Sequence, residues 1–238
     1  MSKVNRTGLA IGLGVVAAGL SGQSMALGAG DFVVYAGAAY ISPSSSIGGV
    51  TDSIAPLTAA TSGATAKVKS ATAAIFSGFY MVTDHLAVEL TIGVPPTLKT
   101  DINVPNAGGP IPNAISQKAE FPSLVGKYLF LSPTDAFRPY VGVGVNNTSF
   151  SSVVVSGNPV AQTFAGSGAS LSSSWNPVVN AGAIFEFTSH LSLNVGVSYV
   201  PMSSNVALRG AGEATGNVAT AKLRLDPTDV TFKIGYKF

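Results

Sequence analysis

The feature that most constrains this chain is an alternation of period two that recurs along its length. In Leu191-Ser192-Leu193-Asn194-Val195-Gly196-Val197-Ser198-Tyr199 every odd position is bulky and apolar and every even one is small or polar. Successive side chains of a β-strand leave on opposite faces, so this stretch predicts a strand with one greasy and one polar face. The same split runs from His85 to Val94, Phe137 to Val145, Trp175 to Phe187 and Val230 to Phe238, with a weaker form in Leu124, Gly126, Tyr128 and Phe130. Phe32 to Ile41 and Thr72 to Val82 are apolar on both parities, and the pattern leaves their facing open. Together these segments predict eight antiparallel strands.

Composition decides which face meets water. Only 10% of the 238 residues are charged, against about 25% in a soluble domain, and mean hydropathy is +0.40. After Ala26 no apolar stretch reaches the length of a membrane-spanning helix. A closed β-barrel is the remaining structure that satisfies its own backbone in lipid. Glu89, Lys127, Arg138, Glu186, Lys233 and Lys237 all occupy the parity opposite the bulky apolar residues of their strands. The apolar face is therefore expected outside and the ionised groups inside, the reverse of a soluble barrel. An eight-stranded barrel is only wide enough for its own side chains, which argues against a general porin. Glu89, Lys127, Arg138, Glu186 and Lys233 are accordingly expected to pair as a polar plug in the lower half, or simply to stabilise the barrel.

The N-terminus reads as a secretory signal peptide over residues 1–26: Lys3 and Arg6, an apolar run from Leu9 to Leu20, and a small-residue cleavage site at Ser24-Met25-Ala26. The barrel is then residues 27–238. Net charge is +2, and without Lys3 and Arg6 the 13 basic residues become 11 against 11 acidic ones, with no basic stripe for nucleic acid. Short turns at Asp84, Ser132 to Asp135 and Ser189 alternate with long loops from Pro43 to Ala71, Lys99 to Ala119, Ser151 to Ser174 and Asn205 to Ala219. Strict alternation puts both termini on the short-turn side, the periplasm of a bacterial outer-membrane barrel. Aromatics near the strand ends form expected interfacial girdles, with Phe130, Phe137, Phe185, Phe187, Tyr236 and Phe238 below and Phe121, Phe150, Trp175 and Tyr199 above. The terminal Phe238 looks like the signal such barrels present to their assembly machinery.

Enzymatic chemistry finds little support. There is no cysteine. Both histidines fall at short turns, in the similar segments Thr83-Asp84-His85-Leu86 and Thr188-Ser189-His190-Leu191, where shared turn chemistry explains them. No metal or cofactor site is expected. Val141-Gly142-Val143-Gly144 precedes no helix and is not a nucleotide loop.

Four segments carry a resemblance to the OmpW family of outer-membrane proteins, which includes AlkL-type hydrophobic uptake channels. They are Gly30-Asp31-Phe32-Val33-Val34, Thr83-Asp84-His85-Leu86-Ala87-Val88-Glu89-Leu90, Phe137-Arg138-Pro139-Tyr140-Val141-Gly142-Val143-Gly144-Val145-Asn146 and Gly235-Tyr236-Lys237-Phe238. Pro122-Ser123-Leu124 and Leu225-Asp226-Pro227 are similar to family motifs, whereas Thr228 and Asp229 depart from the aromatic and apolar pair usual there. The resemblance implies a passive barrel that admits small hydrophobic solutes from outside and releases them sideways into the outer membrane. It places the lateral gap at Pro95, with Pro96 and Pro122 beside it. Proline lacks the N–H that a ladder needs, so it either opens a wall or only ends a strand. Pro177, Pro201 and Pro227 lie at comparable heights.

The loops fit apolar solutes, since residues 43–66 hold one charge, Asp52, and residues 151–174 none. They also read as solvated, low-complexity turns. Lys67, Lys69, Lys99, Lys118, Arg209, Lys222 and Arg224 near the outer rim are candidate contacts for lipopolysaccharide phosphates, with outer-membrane lipids around the wall. A structural or adhesive barrel and a narrow channel for small polar solutes remain as alternatives.

Overall fold

The structure, a computed structural model, describes residues 27–52, 62–106, 108–166, 168–209 and 217–238. The expected signal peptide lies outside them. In chain order the strands are β1 (Phe32–Ser42), β2 (Ser46–Asp52), β3 (Thr65–Val68), β4 (Ala71–Met81), β5 (Leu86–Gly93), β6 (Thr97–Val104), β7 (Gly109–Glu120), β8 (Ser123–Leu129) and β9 (Phe137–Val155). A short helix α1 (Pro159–Ala165) follows, then β10 (Gly168–Leu171), β11 (Ser174–Glu186), β12 (Leu191–Tyr199), β13 (Ser203–Arg209), β14 (Asn217–Arg224) and β15 (Thr228–Lys237). No helix among the described residues is long and apolar enough to cross a membrane.

Eight strands close the wall. Around it the order is β1, β4, β5, β8, β9, β11, β12 and β15, all antiparallel, and β15 returns to β1 from Val33↔Lys237 to Ser42↔Thr228. Closure leaves no strand edge, which is what lipid demands of a sheet. Three tight turns join wall strands at one end. In two of them a threonine hydroxyl accepts the next amides: Thr83 Oγ1 from Leu86 N at 3.0 Å and Thr188 Oγ1 from Leu191 N at 2.9 Å. The third is held by Asp135, which accepts from Ser132 N at 2.7 Å.

The opposite end is more ordered than Ser- and Gly-rich loops suggest. The β6–β7 hairpin extends the wall and pairs onto β9 up to Ile115↔Val155, so β9 runs 19 residues instead of stopping near Val145. On the other side of the barrel β10, β13, β14 and β2 form a second sheet, in the same order as the wall strands β11, β12, β15 and β1 that they adjoin in the chain. Helix α1 starts with Asn158 accepting from Val160 N and Ala161 N, an N-cap that the sequence reading missed.

Sidedness follows the parity. Val88, Leu90, Ile92, Val141, Val143, Val145, Val197, Phe232 and Ile234 are exposed on the outer surface, the face expected to meet lipid, while Glu89, Lys127, Arg138, Glu186 and Lys233 are buried inside. The first two wall strands are apolar on both parities because their inner face also packs. Val33, Tyr35, Phe79 and Met81 join Leu27, Leu129, Tyr140 and Ile184 in an apolar cluster at the turn end. The lower closure is therefore more apolar than its charges alone suggest. Two girdle assignments also change. Phe121 and Phe150 pack against the inner cluster around Leu98, Val200 and Met202, while Trp175 and Tyr199 face outward.

Candidate functional site: a closed floor, a two-part lumen and an interrupted wall

The floor is built around two kinds of buried charge. Arg138 is fully buried and donates to three carbonyls, Phe130 O at 3.3 Å, Leu27 O at 2.5 Å and Asp84 O at 2.6 Å, which ties the N-terminal segment to two turns. Glu186 is buried at the same end and forms no ion pair among the described residues. Higher up, Glu89 is bonded by both Lys127 and Lys233 and accepts from Ser77 Oγ at 2.6 Å. The five residues expected to form one plug thus all point inward but divide into a triad and a separate floor pair.

Aromatic rings complete the triad's surroundings. The Lys127 ammonium lies 4.0 Å from the Tyr140 ring centroid, and that of Lys233 lies 5.3 Å from the Tyr35 centroid. Ring faces attract these cations and offset part of their desolvation. Tyr140 donates to Asn194 Oδ1 at 2.9 Å. Its hydroxyl occupies space that Gly182 and Gly196 leave open, since a Cβ at either would come within 2.5 Å of it. Small residues on the inner parity are here the seats of larger ones across the lumen.

Above the triad the lumen opens in two stages. The lower space is bordered by polar groups, among them Thr91, Asn180, Ser198 and Thr231. The upper one is lined mainly by apolar side chains including Ile41, Leu98, Phe150, Met202 and Leu225. Phe121, Ser123, Val200 and Asp229 border both, so the two adjoin at this level. Asn180 lies opposite Ser198, which lies opposite Asp229, in one row across β11, β12 and β15. The sequence reading did not single out this row, although its residues share the inward parity of Glu186, Asn194 and Lys233.

Pro95, Pro96 and Pro122 meet at the upper end of the β5/β8 seam. The ladder runs from Leu86↔Tyr128 to Thr91↔Ser123 and stops. It resumes on the other side of the prolines, where Ala119 N donates to Pro96 O at 3.2 Å and Thr97 lies opposite Lys118. Val94 N is committed to β4, donating to Ala74 O at 2.8 Å. By the alternation of an antiparallel strand, Gly93 and Pro95 are the positions that face β8, and Pro95 has no donor to give. The Phe121 ring lies over Gly93, where a Cβ would come within 2.8 Å of it. The interrupted stretch is thus covered from inside by one aromatic ring. Pro122 keeps its bond to the other side, accepting from Asn147 N at 3.0 Å.

The histidines form a repeated module at the turn end. His85 Nδ1 lies 3.0 Å from Leu129 O and its ring stacks on Tyr128, while His190 Nδ1 lies 2.9 Å from Lys237 O and its ring stacks on Tyr236. No group of three or more metal-ligating side chains occurs among the described residues. At the outer rim Lys69 is engaged with Asp101 at 3.1 Å and with Asn113 Oδ1 at 2.9 Å.

Comparison with known proteins is consistent with this architecture. Residues 28–238 match the model of the OmpW family. Outer membrane protein W of Escherichia coli is 28% identical over 221 residues, spanning 92% of this chain and 93% of that protein. Its counterpart in Vibrio cholerae is 28% identical over 228 residues, 95% and 97% of the two chains. The crystal structure of OprG from Pseudomonas aeruginosa matches with a TM-score of 0.78 at 28% identity, covering 91% of this chain and 99% of that one. The solid-state NMR structure of AlkL in lipid bilayers has the same fold, with a TM-score of 0.62 at 20% identity over 93% and 96% of the chains.

Proposed function

The chain belongs to the OmpW family of outer-membrane barrels, and we propose that it is a passive channel through which small hydrophobic molecules enter the outer membrane. They descend from the extracellular side into the apolar upper lumen and leave sideways where the β5/β8 ladder is interrupted. The observation that carries this reading is the pairing of an apolar lumen with a floor filled by Arg138 and the apolar cluster around Leu27. An apolar solute below Phe121 meets Glu89, Lys127 and Lys233, where displacing buried ionic contacts costs several kcal/mol, on the order of 3–5. The seam beside Pro95 asks for no backbone bond to be broken.

Uptake tests this directly. Liposomes carrying the barrel should admit n-octane faster than protein-free liposomes, and Pro95→Ala, which supplies an N–H toward β8, should slow that uptake several-fold. Assembly is checked by heat-modifiable migration on gels. Unchanged uptake in a correctly assembled P95A barrel counts against release at this seam. Conduction of small polar solutes with apolar probes excluded favours the polar channel, and neither activity favours a structural or adhesive role.

A further inference from the structure

The β11/β12 seam carries a second interruption. Its ladder runs from Glu186↔Ser192 up to Val179↔Tyr199 and ends there. The next bond across the seam is Ser172 N to Asn205 O at 3.0 Å, so residues 173–178 face 200–204 with no ladder bond among the described residues. Neighbouring seams at this height remain paired. On one side β11 continues on β9 through Pro177↔Val145 to Ser174↔Thr148. On the other, Val200 N donates to Pro227 O at 3.1 Å and Leu225 N to Met202 O at 3.0 Å. On this side of the wall the break is confined to the β11/β12 line.

Its cause lies in the sequence. Continuing the β11–β12 register upward by two residues sets Pro177 opposite Pro201. Glu186 N donates to Ala136 O on the β9 side and Phe187 N to Leu191 O on the β12 side, so the odd positions of β11, Pro177 included, point toward β12. Val200 N points to Pro227, so Pro201 points toward β11. Each would exchange its N–H with the other, and neither has one. The β5/β8 seam lacks one donor at Pro95, whereas here both donors of a facing pair are missing.

What fills the break from inside is mostly apolar, with the buried Asn176 beside it donating back to Ser174. Val178, Val200 and Met202 close it from inside within a single buried cluster, and Val200 and Met202 are at the same time walls of the upper lumen. Outside, Val179 and Val197 are exposed beneath the interfacial Trp175 and Tyr199, so the break lies at the lipid boundary. Separating these side chains breaks no backbone bond and one weak side-chain contact, from Thr148 Oγ1 to Met202 Sδ at 3.9 Å, and a hydrophobic solute that parts them replaces their apolar contacts.

We propose that the β11/β12 seam at Pro177 and Pro201 is a second lateral exit for small apolar solutes, opening from the upper lumen into the outer leaflet. This rests on the uptake reading above and adds a second route to it. The absence of cysteine from the chain makes a reversible lock available. Residues facing each other in an antiparallel ladder bring Cα atoms within disulfide range, and one residue past Val179↔Tyr199 the same register sets Val178 opposite Val200, so V178C/V200C, which keeps both prolines, should close the seam when oxidised and release it when reduced. The same molecules are compared in both states, so misfolding does not imitate the result.

With n-octane as probe in proteoliposomes, oxidised V178C/V200C is expected to take up the alkane about twofold more slowly than its reduced form. In a P95A background the drop should be larger, because the β5/β8 route is then already restricted. Equal rates for oxidised and reduced protein, with the disulfide verified by mass spectrometry, overturn the second exit. A wild-type barrel that does not accelerate octane at all overturns the uptake reading itself, so the two failures are distinguishable. Failure of the cysteines to couple in the folded barrel also overturns the proposal, since it denies the register that sets 178 opposite 200 and Pro177 opposite Pro201.

Discussion

Glu89 holds two ammonium groups in a space from which water is largely excluded, and the balance of charge there is uneven. One carboxylate serves Lys127 and Lys233, with Ser77 and the rings of Tyr140 and Tyr35 supplying the rest of their solvation. Glu89→Gln would leave two buried cations without a counter-charge, which costs about 3–5 kcal/mol. Lys127→Met leaves one cation with one anion and should cost clearly less. Urea unfolding of the barrel in lipid vesicles measures both, and an E89Q barrel as stable as K127M contradicts the arrangement. The inward facing of these residues was legible because parity fixes the side of a strand. Their division into a triad and a floor was not, because parity carries no information about height or about which strands lie across the lumen. Phe121 illustrates the converse. It shares the parity of Ser123, Val125 and Lys127, so its inward facing was available, but its position at a strand end favoured a girdle reading.

Wall strands differ from their extracellular continuations in how they are held, and that difference governed what could be read. Within the bilayer, one face meets lipid and the other the lumen, which forces a sharp alternation into β5, β9, β12 and β15. The extensions in β6, β7, β13 and β14 meet water or one another, so their Ser, Thr, Ala and Asn residues alternate weakly and read as loops. Side chains then help to hold them. In the β6–β7 hairpin the Asp101 carboxylate accepts from Asn113 N at 2.7 Å, next to Lys69. The Asn113 amide, followed by the Lys69 ammonium, holds the Asp101 carboxyl below the usual aspartate range. A carboxyl depressed in the folded state stabilises fully above its unfolded value and loses that contribution as pH falls through its folded one. The hairpin should therefore be unaffected between neutral pH and about pH 5 and loosen in stronger acid, below the ordinary aspartate pKa of about 3.9. The protection factor of the Asn113 amide measures this: it should fall on acidification in the native chain and stay flat in Asp101→Asn. Protection that is the same at both ends of the range in the native chain removes the carboxylate from the account.

At the scale of the whole molecule, every functional statement depends on the wall facing lipid. The outer surface is a band of exposed apolar side chains, and Val143, 69% exposed and flanked by Val141 and Val145 on the same face, lies within it. The inner neighbours Gly142 and Gly144 leave no room for rotation of the strand, since a Cβ at Gly144 would come within 2.1 Å of Leu124 O. An arginine at position 143 cannot turn inward and must reach through the hydrocarbon for the interface. Val143→Arg is therefore expected to destabilise the barrel by about 2–4 kcal/mol if it lies at the midplane and less toward the interfaces. Val143→Leu should be nearly neutral. The contrast separates burial in lipid from packing within the protein, because both substitutions enlarge a side chain that touches little of its own chain. Equilibrium unfolding in bilayers reads the difference. Near-equal stabilities for V143R and V143L would mean that this face is bathed in water or covered by protein, and both lateral exits would then open onto the wrong medium.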